Sequence, residues 1–267
     1  MQTLTRNDAA VAEDVGNIVS LEHVNTRVPD QSLATLFYIV GLGLTRDPYM
    51  NVGLTNMWIN IGEQQLHLPT GKPQVLRGHT GLVVPDLSAL KDRLAMVQGQ
   101  LERATDFRWE DRGEYVAVIS PWGNKFHCYG PGAYGAMKLG LPYVELAVPA
   151  GRAAAIARFY EQVFAATSGV EGNVATVEVG SGQTLIFRER DDVPEYDGHH
   201  IAIYIANFSR PFQWLAAHGL ITESLRNHQF RFQDIVDPAT SEVAFTLEHE
   251  VRSSRHPGFR RQLINRE

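Results

Sequence analysis

The sequence predicts an α+β fold built from four β-α-β-β-β modules, and three observations predict it. Runs of strand length in which apolar and polar residues alternate, or in which β-formers predominate, recur along the whole chain. Between the first and second run of each group lies a stretch with apolar residues at helical spacing. The order strand, helix, strand, strand, strand then repeats.

In the first module VSLEHVNTRV is the opening strand. The segment from Asp30 to Leu44 carries Leu33, Leu36, Phe37, Val40 and Leu44 at helical spacing and closes on Gly41 and Gly43, so it reads as a helix. LTNMWINIG and QQLHLP follow as strands. The second module runs from HTGLVV through the helix DLSALKDRLAMVQGQL, N-capped by Asp86, to the strands FRWEDRG, EYVAVIS and NKFHCYG. The loop GPGAYGAMKLGLP has the Gly and Pro content of a linker. Beyond it PYVELAV, AGRAAAIARFYEQVFAAT, NVATVEVG and QTLIFRE form the third module, and HHIAIYI, FSRPFQWLAAHG, FRFQDIVD and VAFTLEHE the fourth. FYIVGLGL at the end of the first helix echoes FYEQVFAA at the end of the third, which suggests duplication of a two-module domain. The expected division is a lead-in over 1–16, one domain over 17–136 and a second over 137–267 that ends in a tail.

Composition narrows the function. A chain of 267 residues with 44% apolar and 20% charged residues is globular. Its net charge of −6 speaks against a general nucleic-acid binder, so a small molecule is the expected partner. The longest apolar run, LATLFYIVGLGL, falls short of the roughly 20 residues that cross a bilayer, and the polar N-terminus lacks the apolar stretch of a signal peptide; a cytoplasmic location is expected. Cys128 is the only cysteine, so a bound metal would have to take nitrogen and oxygen ligands. Two domains suffice to build a cleft within one chain, and the C-terminal tail offers a surface for a homo-oligomer.

Four histidines occur in the first 140 residues, at equivalent module positions: His23 and His79 on opening strands, His67 and His127 on closing strands. A lone histidine on a strand is more often a hydrogen-bonded structural residue than a ligand. Placement in two equivalent pairs is what raises these four, because a pseudo-two-fold axis would bring them to one point. Imidazole suits zinc, iron, nickel, cobalt and copper. Four protein ligands in tetrahedral geometry would close a zinc site to substrate, so catalysis requires a higher coordination number or one weak ligand, for which His67 is the candidate. Strand alternation puts Asn25 and Arg27 on the face of His23, Gln65 on that of His67 and Tyr129 on that of His127, as candidate substrate-binding residues, Arg27 for an anionic group.

On LEHVNTRVPD with FYIVGLGL, QQLHLP, GHTGLVVPDLSAL and SPWGNKFHCYGP, the chain resembles the vicinal oxygen chelate superfamily, which includes the glyoxalases, extradiol dioxygenases and bleomycin-resistance proteins. The resemblance implies curved, cleft-forming mixed sheets and one divalent transition metal (Fe, Ni, Zn, Co or Mn), with ligands on the first and last strands of a pair of modules, where His23, His67, His79 and His127 fall. That family usually carries a carboxylate on at least one closing strand, and here His127 stands in its place. In the second half Tyr143 replaces the opening-strand histidine, Ile186 lies where His67 would be, Phe245 or a neighbour stands near the His127 position, and only His200 or His199 remains, so this half is expected to be a scaffold or lid. The run Leu247 to Glu250 reads as a solvated strand end, with a second acid-base cluster at His249 or a reduced metal pair of Glu248 with His200 as the lesser alternatives, and Trp58 reads as core. No nucleophile motif appears, and no catalytic residue is assigned. The implied function is a metal-dependent enzyme of the glyoxalase or dioxygenase type acting on a small oxygen-chelating substrate, with a binding protein of the bleomycin-resistance type as the alternative.

Overall fold

Every module takes the predicted order in the computed structural model, which describes residues 16–50, 53 and 55–266; of the lead-in, all but Gly16 lies outside the described residues. Module one comprises β1 (Ile18–Asn25), α1 (Gln31–Ala34), a π-helical continuation (Thr35–Gly41), β2 (Thr45–Arg46), β3 (Asn56–Ile61) and β4 (Gln64–Pro69). Module two comprises β5 (Gly78–Val83), α2 (Leu87–Leu101), β6 (Arg108–Asp111), β7 (Val116–Ile119) and β8 (Lys125–Tyr129). Module three comprises β9 (Tyr143–Pro149), α3 (Ala153–Phe164), β10 (Ser168–Glu171), β11 (Val174–Glu178) and β12 (Thr184–Arg190). Module four comprises β13 (His200–Ile205), α4 (Ser209–Ala217), β14 (Ile221–Arg226), β15 (Gln229–Val236) and β16 (Val243–Ser253).

Local chemistry explains the helix starts. The carboxylates of Asp30 and Asp86 each accept two backbone N–H groups of the first turn, satisfying donors that a helix leaves unpaired. The first helix departs from the regular α-helix expected over Asp30–Leu44. It widens after Ala34, and the Leu42 N–H reaches back five residues to the Phe37 carbonyl at 2.8 Å. Phe37 and Tyr38, consecutive on this wide turn, are both fully buried. Gly41 then packs against α2: a Cβ there would stand 3.2 Å from Val97 Cγ2.

Strand pairing runs across the expected division into 17–136 and 137–267. One eight-stranded sheet has the order β14-β15-β16-β13-β1-β4-β3-β2, and the other β10-β11-β12-β9-β5-β8-β7-β6. Modules one and four therefore share a sheet through the antiparallel β1–β13 junction, and modules two and three share the other through β5–β9. The helices pair the other way. The first helix packs on α2, with Phe37 against Phe107, and α3 packs on α4, with Phe159 against Trp214. The halves 17–136 and 137–267 are each held together on the helix side, while the strands join across them. Local periodicity specifies strands but not which module's edge an opening strand will meet, which is why the cross-pairing was not expected.

A glutamine side chain completes the key strand. β1 pairs with β4 only from His23 onward. Before that point the buried Gln183 amide accepts from the Leu21 N–H (3.1 Å) and donates to the Leu21 carbonyl (3.1 Å) and the Leu141 carbonyl (3.2 Å). Next to it a register shift between Leu21 and His23 inserts Glu22 as a bulge. Gln183→Leu would strand buried backbone groups of β1, and unfolding in denaturant should show a loss of about 3 kcal/mol; a loss below about 0.5 kcal/mol would show that water or a shifted strand satisfies them.

Candidate metal centre

The cross-pairing decides which histidines meet. In the β1–β13 register His23 opposes Ala202 and Asn25 opposes His200. His67 on β4 opposes Asn25, so His23, His67 and His200 share one face of the sheet, with ligand nitrogens all within 4.8 Å of one another. The rings of His67 and His200 lie 5.8 and 5.6 Å from that of His23. His79 and His127 sit in the other sheet. The four expected histidines thus fall two to each sheet, because the opening strand of module one meets module four, not module two.

Register also locates a fourth group that the sequence reading missed. His67 opposes the residue two places after His23, and His127 opposes Gly81, two places after His79. The same count on module four starts at His200 and reaches Ala202, whose partner is Glu250. Glu250, not Phe245, holds the closing-strand position, and its carboxylate lies 3.9 Å from His200 Nε2 with the side chain 4% exposed. The signal in the sequence was the alternation Glu248, Glu250, Arg252 against Leu247, His249, Val251. Far from being a solvated end, this strand buries both faces there, and His249 turns into the core to meet the Tyr160 hydroxyl at 2.6 Å.

Charges are arranged around the cluster. The Nε2 atoms of His23 and His67 are buried without a hydrogen-bond partner, while His23 Nδ1 is bonded to the Glu22 carboxylate. A buried ring nitrogen left free while its opposite nitrogen is tied to a carboxylate is the arrangement of a metal-ligating histidine. His67 lies flat against Trp58, ring centroids 3.8 Å apart at 12°, so Trp58 aligns the imidazole and is more than core filler. Burial, with the nearby His23 charge, lowers the His67 pKa to about 2 and takes His200 well below its usual range, so both are neutral and free to donate a lone pair. Burial pushes the Glu250 carboxyl up, but the charges of His23, Arg252 and Arg231 reverse this and leave it lowered. Three imidazoles and one carboxylate match the nitrogen and oxygen preferences of a divalent transition ion.

The other expected residues scatter. Asn25 is buried on the cluster's face with an unpartnered Oδ1. Arg27 is exposed at the end of the strand, passing over Gly71. Gln65 is tied to Asp47 (3.0 Å) and Asn60 (2.7 Å). Tyr129 belongs to the second sheet, where the Tyr143 hydroxyl stands between His79 Nε2 (3.1 Å) and His127 Nδ1 (3.4 Å) and touches the Tyr129 hydroxyl at 3.1 Å. Tyr143 can lie there because its neighbour is Gly81, where a Cβ would come within 2.4 Å of the ring. Ile186 holds the fourth position, opposite Glu145. A hydroxyl and an aliphatic side chain thus replace two ligands, and the phenol pKa is raised by burial and by Tyr129, which disfavours a phenolate ligand.

The C-terminal tail folds back across the first sheet. Arg261 pairs with the buried Asp47 (2.6 Å), Asn60 donates to the Ile264 carbonyl (2.8 Å), and the Asn265 amide exchanges two hydrogen bonds with the Gly62 backbone (3.0 and 2.9 Å). With Glu22, Gln65, Tyr204 and Arg252 it lines a cavity of about 1020 Å³ that reaches Glu22 and Arg252 but none of His23, His67, His200 and Glu250.

Solved structures share this architecture. Glyoxalase I from Zea mays matches with a TM-score of 0.59 at 15% identity, over 86% of this chain and 91% of that one. A Bacillus subtilis protein provisionally named a dioxygenase matches with a TM-score of 0.56 at 17% identity, over 91% and 86%. The chain shares the fold of these two proteins. No family profile and no curated protein matches the sequence itself, so the likeness is one of architecture. No helix among the described residues is long and apolar enough to cross a membrane.

The buried imidazoles set a pH dependence. His67 stays neutral in the folded protein to about pH 2 and the core residue His249, by burial, to about pH 4, whereas both titrate near 6.5 when unfolded. Below about pH 6.5 the unfolded chain binds more protons, so the stability these residues contribute is present above that value and lost as pH falls through it. The melting temperature of metal-free protein should therefore be lower at about pH 5 than at about pH 7; an unchanged or higher value at the lower pH would contradict the buried, neutral assignment.

Proposed function

We propose that His23, His67, His200 and Glu250 hold one divalent transition metal ion, and that the protein is a metal-dependent enzyme of the glyoxalase or dioxygenase type. The observation that carries this reading is the pair of buried, unpartnered Nε2 atoms of His23 and His67 facing a third imidazole. A buried polar atom without a partner costs about 1–3 kcal/mol, and here the cost falls on two adjacent ligand atoms whose rings are oriented by Glu22 and Trp58.

When bound, the ion would supply Lewis-acid stabilisation of negative charge on two adjacent oxygens of a small substrate. The chain's own groups do the rest. Neutral His67 and His200 lend lone pairs without first releasing a proton, and the single carboxylate leaves a net positive centre that favours an anionic or enolisable substrate. Glu248, 24% exposed and 3.4 Å from His200 Nδ1, is the carboxylate beside the cluster that can exchange a proton with a substrate. The burial of the cluster excludes bulk water.

Elemental analysis of the purified protein, loaded with excess Co²⁺ and dialysed, should find close to one ion per chain. His23→Ala should lose it and Tyr143→Phe should retain it. Two ions per chain would implicate the His79 cleft, and none would favour a metal-free binding protein. Because Trp58 stacks on His67, Co²⁺ binding should also quench tryptophan emission, and Trp58→Phe should abolish most of that change; undiminished quenching in the variant would place the ion away from His67.

A further inference from the structure

Two of the proposed ligands, His23 and Glu250, stand at opposite ends of the sequence, yet one side chain supports both from behind. Arg252, 8% exposed, donates from Nη1 to Glu22 Oε2 at 2.8 Å, and the same Glu22 oxygen holds His23 Nδ1. Its Nε and Nη2 each lie 2.5 Å from Glu250 Oε1, while Glu250 Oε2, on the side facing His200, pairs with Arg231 Nη2. The planar fork of a guanidinium can make these contacts together in one geometry; an ammonium ion cannot. Without it, Glu22 and Glu250 would lose the one cation they share, leaving Glu22 to His23 and Glu250 to Arg231.

Arg252 is itself enclosed by the C-terminal tail. Its guanidinium lies 5.8 Å from the centroid of the Tyr204 ring, and the Tyr204 hydroxyl is bonded to His256 Nδ1 at 3.1 Å. Gly258 comes so close that a Cβ there would stand 2.8 Å from the Tyr204 hydroxyl. From this contact the tail runs on to its anchors at Asp47, Asn60 and Gly62 in module one. Glu22 and Arg252 form part of the cavity lining over which the tail passes.

We propose that Arg252 is a positioning residue for the metal centre: its guanidinium sets the spacing of His23 and Glu250 across the junction of modules one and four, and the tail, through Tyr204, holds the guanidinium in place. This rests on the metal reading above and is separable from it. The test uses the full-length protein, Co²⁺ as probe, its visible absorption spectrum as the record of ligand geometry, and the rate of release to a chelator. Relative to wild type, Arg252→Lys should bind Co²⁺ about ten- to a hundredfold more weakly with an altered spectrum, although the charge is conserved. Glu22→Gln, nearly isosteric and the deciding variant if Arg252→Lys does not fold, should shift in the same direction. Tyr204→Phe should keep the wild-type spectrum and release Co²⁺ several times faster. A folded Arg252→Lys or Glu22→Gln protein with wild-type affinity and spectrum overturns the positioning role, and wild-type release from Tyr204→Phe overturns the part assigned to the tail. Absence of Co²⁺ binding by the wild type would instead defeat the metal reading itself.

Discussion

The antiparallel junction of β1 with β13 is the contact on which the rest of the structure depends. It joins the first module to the last, and each opening strand then carries its own closing strand in parallel on the far side. A sheet register is quantised, because a shift by one residue would turn His23 and His200 into the apolar core and bring Val24 and Ile201 into the cleft. The bulge at Glu22 and the Gln183 amide are local devices that hold β1 in that register where no strand covers its edge. Geometry at the cluster is therefore set by backbone hydrogen bonding, and the side chains inherit it.

One architecture has been used twice with different outcomes. In the first sheet the four equivalent positions are His23, His67, His200 and Glu250; in the second they are His79, His127, Tyr143 and Ile186. Changing two of four groups is enough to alter the chemistry, because a phenol that is hard to ionise occupies the point between the imidazoles while the remaining position offers no donor. Surrounding residues follow suit. Glu22, Arg231 and Arg252 form ion pairs about the first cluster, whereas Tyr115, Tyr129 and Tyr134 stack about the second.

Much of this was legible in the residues. The four modules, the helix caps at Asp30 and Asp86 and the histidine positions on strands follow from short-range patterns, and the resemblance to the vicinal oxygen chelate superfamily matches the architecture. What short-range pattern does not encode is partner choice: β1 can offer its edge to β5 or to β13, and nothing in VSLEHVNTRV distinguishes them. That single long-range decision moved His79 and His127 out of the expected cluster and brought His200 and Glu250 in. Glu250 was passed over because charge near a strand's end was read as solvation, although its alternation with Leu247, His249 and Val251 marked a two-faced strand. Trp58 was read as core because only the fold places His67 beneath it.

Joining the first strand to the last has a temporal consequence. During synthesis β1 leaves the ribosome long before β13 and β16 exist, so its edge and the His23 and His67 side chains wait without their eventual neighbours. Pairings between such distant segments are slow to form, and unpaired strand edges invite association with other chains. Helix packing within each half can proceed meanwhile, giving the nascent chain partial order on one side. The cluster of His23, His67 and His200 can assemble only when the fourth module docks, so its completion follows the folding of the halves and marks the moment at which the chain has closed upon itself.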